Sequence, residues 1–211
     1  MLREIFLGRN PSHFHVNPIV KMFILSELFL WSAMNFILPI FALFATSIPN
    51  GNIEIAATAY SVHLLVRVVF ELISGRYFAT VPEAKKILII VFGMMIMSIA
   101  YFGFIFVNTL LMLYLFYSIL GVGIGIISPV KNSLFSTHLD KNKEAVEWGL
   151  LDAVTLSFIA LSSALGGFIA QKYGFQTLFL LAAIVNLIGI IPYLLYIKDI
   201  KPSGIFSLGK K

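Results

Sequence analysis

Six long apolar segments separated by short polar joints make up most of the chain. Each has close to the length of about 20 residues that an α-helix needs to cross a hydrocarbon core. The segments are Ile19 to Ala45, Ile53 to Ala79, Ile87 to Val107, Leu110 to Phe135, Leu150 to Gln171 and Thr177 to Ile197. The pattern predicts an all-α polytopic membrane protein with six transmembrane helices in residues 19–197, preceded by segment 1–18 and followed by tail 198–211.

The joints and the composition agree with this prediction. Turn-like links lie at Ser47–Asn52, around Asn108 and at Lys172–Phe175, and only Thr137 to Glu147 forms a longer polar connector. With 59% hydrophobic and 12% charged residues, the chain lies outside the range of soluble globular proteins. Because it has no cysteine, disulfides, iron–sulfur clusters and thiol catalysis are excluded.

The basic residues predict the orientation. With the N-terminus in the cytoplasm, Lys172 alone falls outside and Arg67 lies within a span, while the other basic residues fall inside. Those are Arg3, Arg9, Lys21, Arg76, Lys85, Lys86, Lys131, Lys141, Lys143, Lys198, Lys201, Lys210 and Lys211. We therefore expect a multi-pass protein of the cell (inner) membrane with both termini cytoplasmic. The basic residues that give the net charge of +5 lie between apolar spans, where they set topology, and they do not indicate a nucleic-acid partner.

The N-terminal segment Met1 to Pro18 mixes basic and apolar residues. It has no small-residue cleavage site before the first apolar run, so it does not have the pattern of a signal peptide. Two interpretations stay open, a short interfacial helix that ends at Asn10-Pro11 and a disordered tail.

A polar stripe interrupts the second segment. His63, Arg67, Glu71 and Gly75 are each four residues apart, so on a helix of about 3.6 residues per turn they share one face. A charge at the bilayer centre costs about 2.5 to 3.5 kcal/mol on insertion scales, and such residues normally face a protein interior or a wet cavity. Two interpretations stay open for Arg67 and Glu71. Either their charges only neutralise each other so that the helix can pack, or the pair takes part in ligand binding, ion binding or gating.

Two other segments carry patterned polar residues. Glu27, Trp31 and Asn35 share a face of the first segment, and Glu27 either reaches headgroup water or lines a cavity. Asp152 begins a similar face of the fifth segment, followed by Thr155, Ile159, Ser162 and Gly166. For Asp152 the alternative is charge complementarity at a helix N-terminus. Asn186 and Pro192 in the sixth segment rank low as site residues.

Closely spaced glycines indicate tight helix packing. Gly121, Gly123 and Gly125 lie in the fourth segment, and Gly166 and Gly167 lie near the end of the fifth. Small residues let membrane helices approach one another, so packing is the favoured explanation.

The sequence lacks the signatures of a membrane enzyme. His63 is the sole histidine within an apolar segment, and no Gly-Xaa-Ser-Xaa-Gly, HExxH or P-loop pattern occurs. No carboxylate cluster has metal-ligand spacing, so we predict neither metal nor cofactor and a protein that is not an enzyme.

The last three apolar segments carry a set of landmarks between about Leu120 and Asn186. They are Gly121, Gly123, Gly125 and Pro129, the polar connector, Gly166-Gly167, Tyr173-Gly174-Phe175 and Phe179, and they are preceded by Ser74-Gly75 followed by Lys85-Lys86. The stretch resembles the fourth to sixth helices of a half of a major facilitator superfamily transporter, and the topology of all six segments agrees with such a half. Ala79 and Ser162-Ser163 replace an expected acidic residue and the Gly-Pro of the antiporter motif.

The resemblance implies a secondary transporter whose cavity lies between two six-helix halves. The first, second, fourth and fifth helices would then line the cavity, which places Glu27, Asn35, Arg67, Glu71 and Asp152 on its walls. Arg67 would hold Glu71 or an anionic group, and Glu71, or else Glu27 or Asp152, would couple transport to a proton or ion. We expect a parallel homodimer, or a second non-identical half, in the lipid bilayer. The alternative is a non-transporting membrane subunit with an assembly or regulatory role.

Overall fold

The computed structural model describes residues 18–78 and 80–199, which contain six helical spans and no strand. The first span comprises a helix Pro18–Ile37, a 3₁₀ turn Leu38–Ile40 and a helix Phe41–Ser47. The second to fifth spans are the single helices Ile53–Phe78, Glu83–Phe104, Leu110–Ser136 and Glu144–Tyr173. The sixth comprises Phe175–Ile188 and Ile191–Asp199. The predicted all-α fold with six transmembrane helices is confirmed. Residues 1–17 of the predicted segment 1–18 and residues 200–211 of the predicted tail 198–211 lie outside the described residues.

Two breaks within spans have local causes. Pro39 lies in the 3₁₀ turn of the first span, where it has no N–H to donate to the helical ladder. The sixth span turns at Gly189 and Ile190, close before Pro192. Between the fifth and sixth spans, Gly174 has a φ of 86°, which other residues rarely adopt. The link is therefore tight, and the two spans are antiparallel neighbours.

The packing order of the spans leaves a cleft through the bundle. The second span packs on the fourth, the fourth on the third, and the third on the sixth, while the first span packs on the fifth and sixth. The first and fourth spans are not among the closely packed pairs. One cavity lies between the first, fourth and fifth spans near one end of the bundle. Another lies between the first and second spans, beside Tyr117 of the fourth, near the other end.

Glycines place the fourth span between its two neighbours. Residues two apart on a helix point to nearly opposite sides, so Gly121 and Gly125 face the second span while Gly123 faces the third. A Cβ at Gly121 would lie 2.6 Å from the carbonyl oxygen of His63, and one at Gly125 would lie 2.7 Å from that of Arg67. A Cβ at Gly123 would meet Met97 Cγ at 2.5 Å. The polar stripe thus packs backbone to backbone against the fourth span.

The two glycines of the fifth span differ from each other. A Cβ at Gly166 would collide with the backbone of Phe36 in the first span, whereas one at Gly167 has no described atom within 4 Å. Gly166 therefore lies at a helix contact, and Gly167 faces away from it.

The fifth helix begins earlier than predicted, at Glu144 instead of Leu150. Glu144 and Glu147 occupy its first turn, where negative charge is favourable, and Glu147 is buried and accepts a hydrogen bond from the Asp140 backbone N–H at 2.8 Å. The polar connector is correspondingly shorter. Asp152 therefore lies two turns into the helix, beyond the reach of the helix-terminus effect that was its alternative explanation.

The second and fifth spans are the most exposed. In their most apolar windows only 17% of residues are buried, against 44% to 56% in the other spans. Their outward side chains are large and apolar, for example Leu72 and Leu156. These two spans flank the cleft on opposite sides.

Candidate functional site

A buried ion pair joins the first and fourth spans. Lys131 Nζ lies 2.6 Å from Glu27 Oε2, and the two side chains are 9% and 5% exposed. Trp31 Nε1 donates to the same oxygen at 2.8 Å, and the Lys131 ammonium lies 5.7 Å from the centroid of the Trp31 ring. Trp31 follows Glu27 by one helical turn, so the helix itself brings the indole beside the carboxylate. One carboxylate oxygen therefore accepts from both a cation and an N–H group, and the charge strengthens both bonds.

This pair lines a cavity of about 170 Å³ between the first, fourth and fifth spans. Aromatic and apolar walls come from Phe23, Trp31, Phe135, Trp148 and Leu151, and polar groups come from Glu27, Lys131, Asn132, Asp152 and Thr155. Two buried oxygens, Glu27 Oε1 and Thr155 Oγ1, have no hydrogen-bond partner among the described residues. The cavity thus offers both signs of charge, aromatic faces and unused acceptors.

The predicted residues of the first and fifth spans take different positions around this cavity. Glu27 and Asp152 both line it, and Asp152 is exposed at its wall. Asn35 is buried on the Glu27 face, but its Nδ2 donates to the carbonyl oxygen of Trp31 at 2.9 Å. The amide of Asn35 is therefore used within its own helix and is not part of the cavity lining.

His63 of the polar stripe is buried between the second and fourth spans. Its Nδ1 lies 3.0 Å from the carbonyl oxygen of Tyr117, and its ring stacks on the Tyr117 ring with centroids 4.6 Å apart. Nε2 is buried and has no hydrogen-bond partner in the described part of the chain. Tyr60 and Tyr117 extend this aromatic stack to a second, largely apolar cavity of about 380 Å³ at the other end of the cleft.

Arg67 and Glu71 pair with each other on the second span. Arg67 Nε lies 2.8 Å from Glu71 Oε1, and the side chains are 27% and 33% exposed. Neither residue lines the cavity of Glu27, and neither does His63. Apart from Asn35, the predicted site residues therefore form two groups: Glu27 and Asp152 at the Glu27 cavity, and the stripe of the second span.

Sequence reasoning missed the partner of Glu27. In the sequence, Lys131 was used only as a basic residue that predicts the cytoplasmic side. In the structure, its ammonium is buried against Glu27. A signal was present, because a lone lysine inside one apolar segment and a lone glutamate inside another can neutralise each other. Trp148 was missed because it lay before the predicted start of the fifth segment at Leu150, and the earlier helix start brings it to the cavity.

The family model of the Major Facilitator Superfamily matches residues 22–210. The chain belongs to the major facilitator superfamily. The match extends from the first span through the sixth, so the suspected resemblance is confirmed for the whole helical bundle. Six spans are the size of one of the halves from which facilitators are built, and this facilitator has the size of a half-size member. A comparison with curated proteins found no match.

Membership makes this facilitator an integral, multi-pass membrane transporter. Within residues 18–78 and 80–199, no group of histidine and acidic side chains is arranged to hold a metal ion. The Glu27 cavity combines an ammonium donor, carboxylate acceptors and aromatic surfaces in a space between helices.

Proposed function

We propose that the protein is a secondary transporter that moves a small solute by alternating access, with the Glu27 cavity as its solute-binding and coupling site. The observation that supports this proposal is the buried pair of Glu27 and Lys131, which lines a cavity between two spans that are not closely packed. Apolar residues would hold these helices together at lower cost, because taking two charges out of water is expensive. We infer that the charges are kept for a transport step.

Coupling follows from the chemistry of the pair. A proton bound to Glu27 neutralises its carboxylate and removes the attraction that holds Lys131. Binding of a proton, an ion or a charged solute at Glu27 therefore releases the tie between the first and fourth spans. We assign the coupling role first to Glu27, because it is the most buried of the candidate carboxylates, with Asp152 as a second carboxylate in the same cavity.

The stripe of the second span has a separate role in this proposal. Arg67 and Glu71 are partly exposed in the single bundle, so they face whatever covers the cleft. We propose that Arg67 holds Glu71 or an anionic group there and that the pair responds to closure of the cleft. His63, stacked on Tyr117, positions the stripe against the fourth span.

A second half completes the transporter. The second and fifth spans flank the cleft and bury only 17% of the residues in their most apolar windows. We propose that a second copy covers them, related by a two-fold axis along the membrane normal, which is the commonest symmetry of soluble oligomers. The first, second, fourth and fifth spans of both copies then face one shared cavity. A separately encoded half is the alternative.

The proposal also includes the orientation of the protein in the membrane. From the distribution of the basic residues, we propose that both termini and the connector 137–143 lie in the cytoplasm. Glu27, Lys131 and Asp152 then lie in the cytoplasmic half of the cleft, and the cavity beside Tyr60 lies in the outer half.

Uptake by reconstituted protein tests the proposed function. The protein is placed in lipid vesicles, and a panel of solutes is offered with and without an inward proton gradient. Gradient-dependent accumulation of at least one solute supports the transporter. Inert behaviour across the panel, together with a co-purifying membrane protein, would support the rival, an assembly or regulatory subunit that retains the scaffold.

A further inference from the structure

We propose that the solute of the Glu27 cavity is an organic cation, an ammonium group carried on an aromatic or aliphatic body. This inference rests on the proposed function and names the substrate class of the same site. Three features of the cavity carry it: the balance of charge, the aromatic walls, and the position of the Lys131 ammonium.

The charge balance favours a cation. Two carboxylates, those of Glu27 and Asp152, line the cavity against one ammonium, that of Lys131. Lys131 is already paired with Glu27, and Asp152 makes no ion pair with another described residue. The lining therefore carries one more negative than positive charge, and Glu27 Oε1 is a buried acceptor with no partner in the described part of the chain. An added cation neutralises the cavity, whereas an added anion would meet two carboxylates.

The aromatic walls suit the body and the charge of such a ligand. Phe135 and Trp148 meet edge to face with ring centroids 4.6 Å apart, and Phe23 and Trp31 complete the wall. The face of an aromatic ring attracts a cation, most strongly for tryptophan. Rings around a carboxylate therefore bind both the apolar and the charged part of an organic ammonium compound.

Lys131 marks where the ligand's ammonium would lie. Its Nζ is in contact with Glu27 Oε2 and lies 5.7 Å from the Trp31 ring centroid, so one cation already occupies the position between carboxylate and indole. A ligand ammonium can take that position without leaving Glu27 unpaired. Lys131 thus acts as an internal competitor, and its displacement connects solute binding to release of the tie between the first and fourth spans.

Tryptophan fluorescence reports on this cavity specifically. The chain has two tryptophans, Trp31 and Trp148, and both line the cavity. Purified protein in a non-ionic detergent is titrated with benzyltrimethylammonium, and in parallel with benzenesulfonate and with phenylalanine as an anion and a zwitterion of similar size. We expect saturable quenching by the cation alone. Saturable binding of the anion or the zwitterion with equal or higher affinity would overturn the inference.

Variants sharpen the test, because a cation site and an anion or zwitterion site predict opposite changes in affinity. Lys131→Met removes the competitor and should tighten cation binding by about tenfold, whereas a site for anions or zwitterions would lose binding. Asp152→Asn leaves the Glu27 pair intact and should weaken cation binding by about fivefold to tenfold. The control Glu54→Gln also removes one carboxylate charge, but at the exposed start of the second span, away from the cavity. It should leave the affinity for the cation unchanged.

The outcomes separate this inference from the proposed function. If Lys131→Met fails to fold, Asp152→Asn still decides, since its side chain is exposed. An affinity for the cation that Asp152→Asn leaves unchanged would refute the assignment. Failure to bind cations in a protein that accumulates another solute in vesicles would refute the substrate class alone. Cation binding without any accumulation would support the site and count against transport.

Discussion

Lys131 of the fourth span and Glu27 of the first form a 2.6 Å ion pair, although the two helices that carry them are not closely packed. The pair therefore connects the two sides of the cleft: the second, third and fourth spans lie on one side, and the first and fifth on the other. A contact of this kind holds the bundle in one arrangement while it lasts. In the proposed transport cycle, its loss releases this tie between the first and fourth spans.

The pair should behave as a unit in stability. Glu27→Gln or Lys131→Met alone leaves one buried charge without a partner, and each should lower the free energy of unfolding by about 3 to 5 kcal/mol. The double variant removes both charges and should be close to the wild type. Unfolding in detergent, followed by circular dichroism, measures these free energies. If the loss in the double variant equals the sum of the two single losses, the two side chains do not interact.

The stripe of the second span is tested by replacing its charges. Arg67→Leu, Glu71→Leu and the double change should each fold, because leucine inserts into a membrane more favourably than a charge. If the pair works in transport, all three variants should lose uptake. Uptake in vesicles and thermal unfolding are measured on the same preparations, and full activity of the folded double variant would reduce the pair to packing.

The orientation is open to direct labelling, since the chain has no cysteine of its own. Single cysteines at Pro49 and Lys172 should react with an impermeant thiol reagent added to intact cells. Single cysteines at Lys141 and Glu144, which are equally exposed, should react only after the cells are opened. Labelling of Lys141→Cys from outside would reverse the assignment.

The proposed dimer places the second span of one copy against the fifth span of the other. Val68 lies on the face of Arg67 and Glu71, and Leu156 lies on the face of Asp152, at a similar distance from the cytoplasmic end. Copies carrying Val68→Cys and copies carrying Leu156→Cys should therefore cross-link with a short bifunctional reagent.

Phe92 of the third span provides the matched control, because it is exposed but lies away from the cleft. Phe92→Cys should not cross-link with either cysteine. Mass measurement in native-like lipid should give twice the mass of the chain. A monomer that still transports, or cross-links only to a different protein, would rule out the homodimer.

The sequence predicted the spans better than the site. Hydrophobic length is a local property, so five of the six segments begin within a few residues of the helices, and the fifth was misplaced only because Glu144 to Glu147 read as loop. The pairing of Arg67 with Glu71 follows from spacing on one helix. The pairing of Glu27 with Lys131 spans 104 positions and depends on how two helices face each other, which periodicity does not encode.

The glycines show the same limit. Their spacing indicated close packing, but only the bundle shows that Gly121 and Gly125 contact the second span while Gly123 contacts the third. Gly166 and Gly167 look alike in the sequence, yet only Gly166 meets a neighbouring backbone. Partner identity is set by the arrangement of the whole bundle.

Solute-evoked proton movement tests the central claim, transport coupled at Glu27, most directly. Vesicles containing the protein and an entrapped pH-sensitive dye are exposed to a panel of solutes, and wild type, Glu27→Gln and the control Glu54→Gln are compared. We predict that at least one solute moves protons in wild type and in Glu54→Gln, and that Glu27→Gln abolishes this movement while the protein stays folded. Proton movement of equal size in folded Glu27→Gln would contradict the claim.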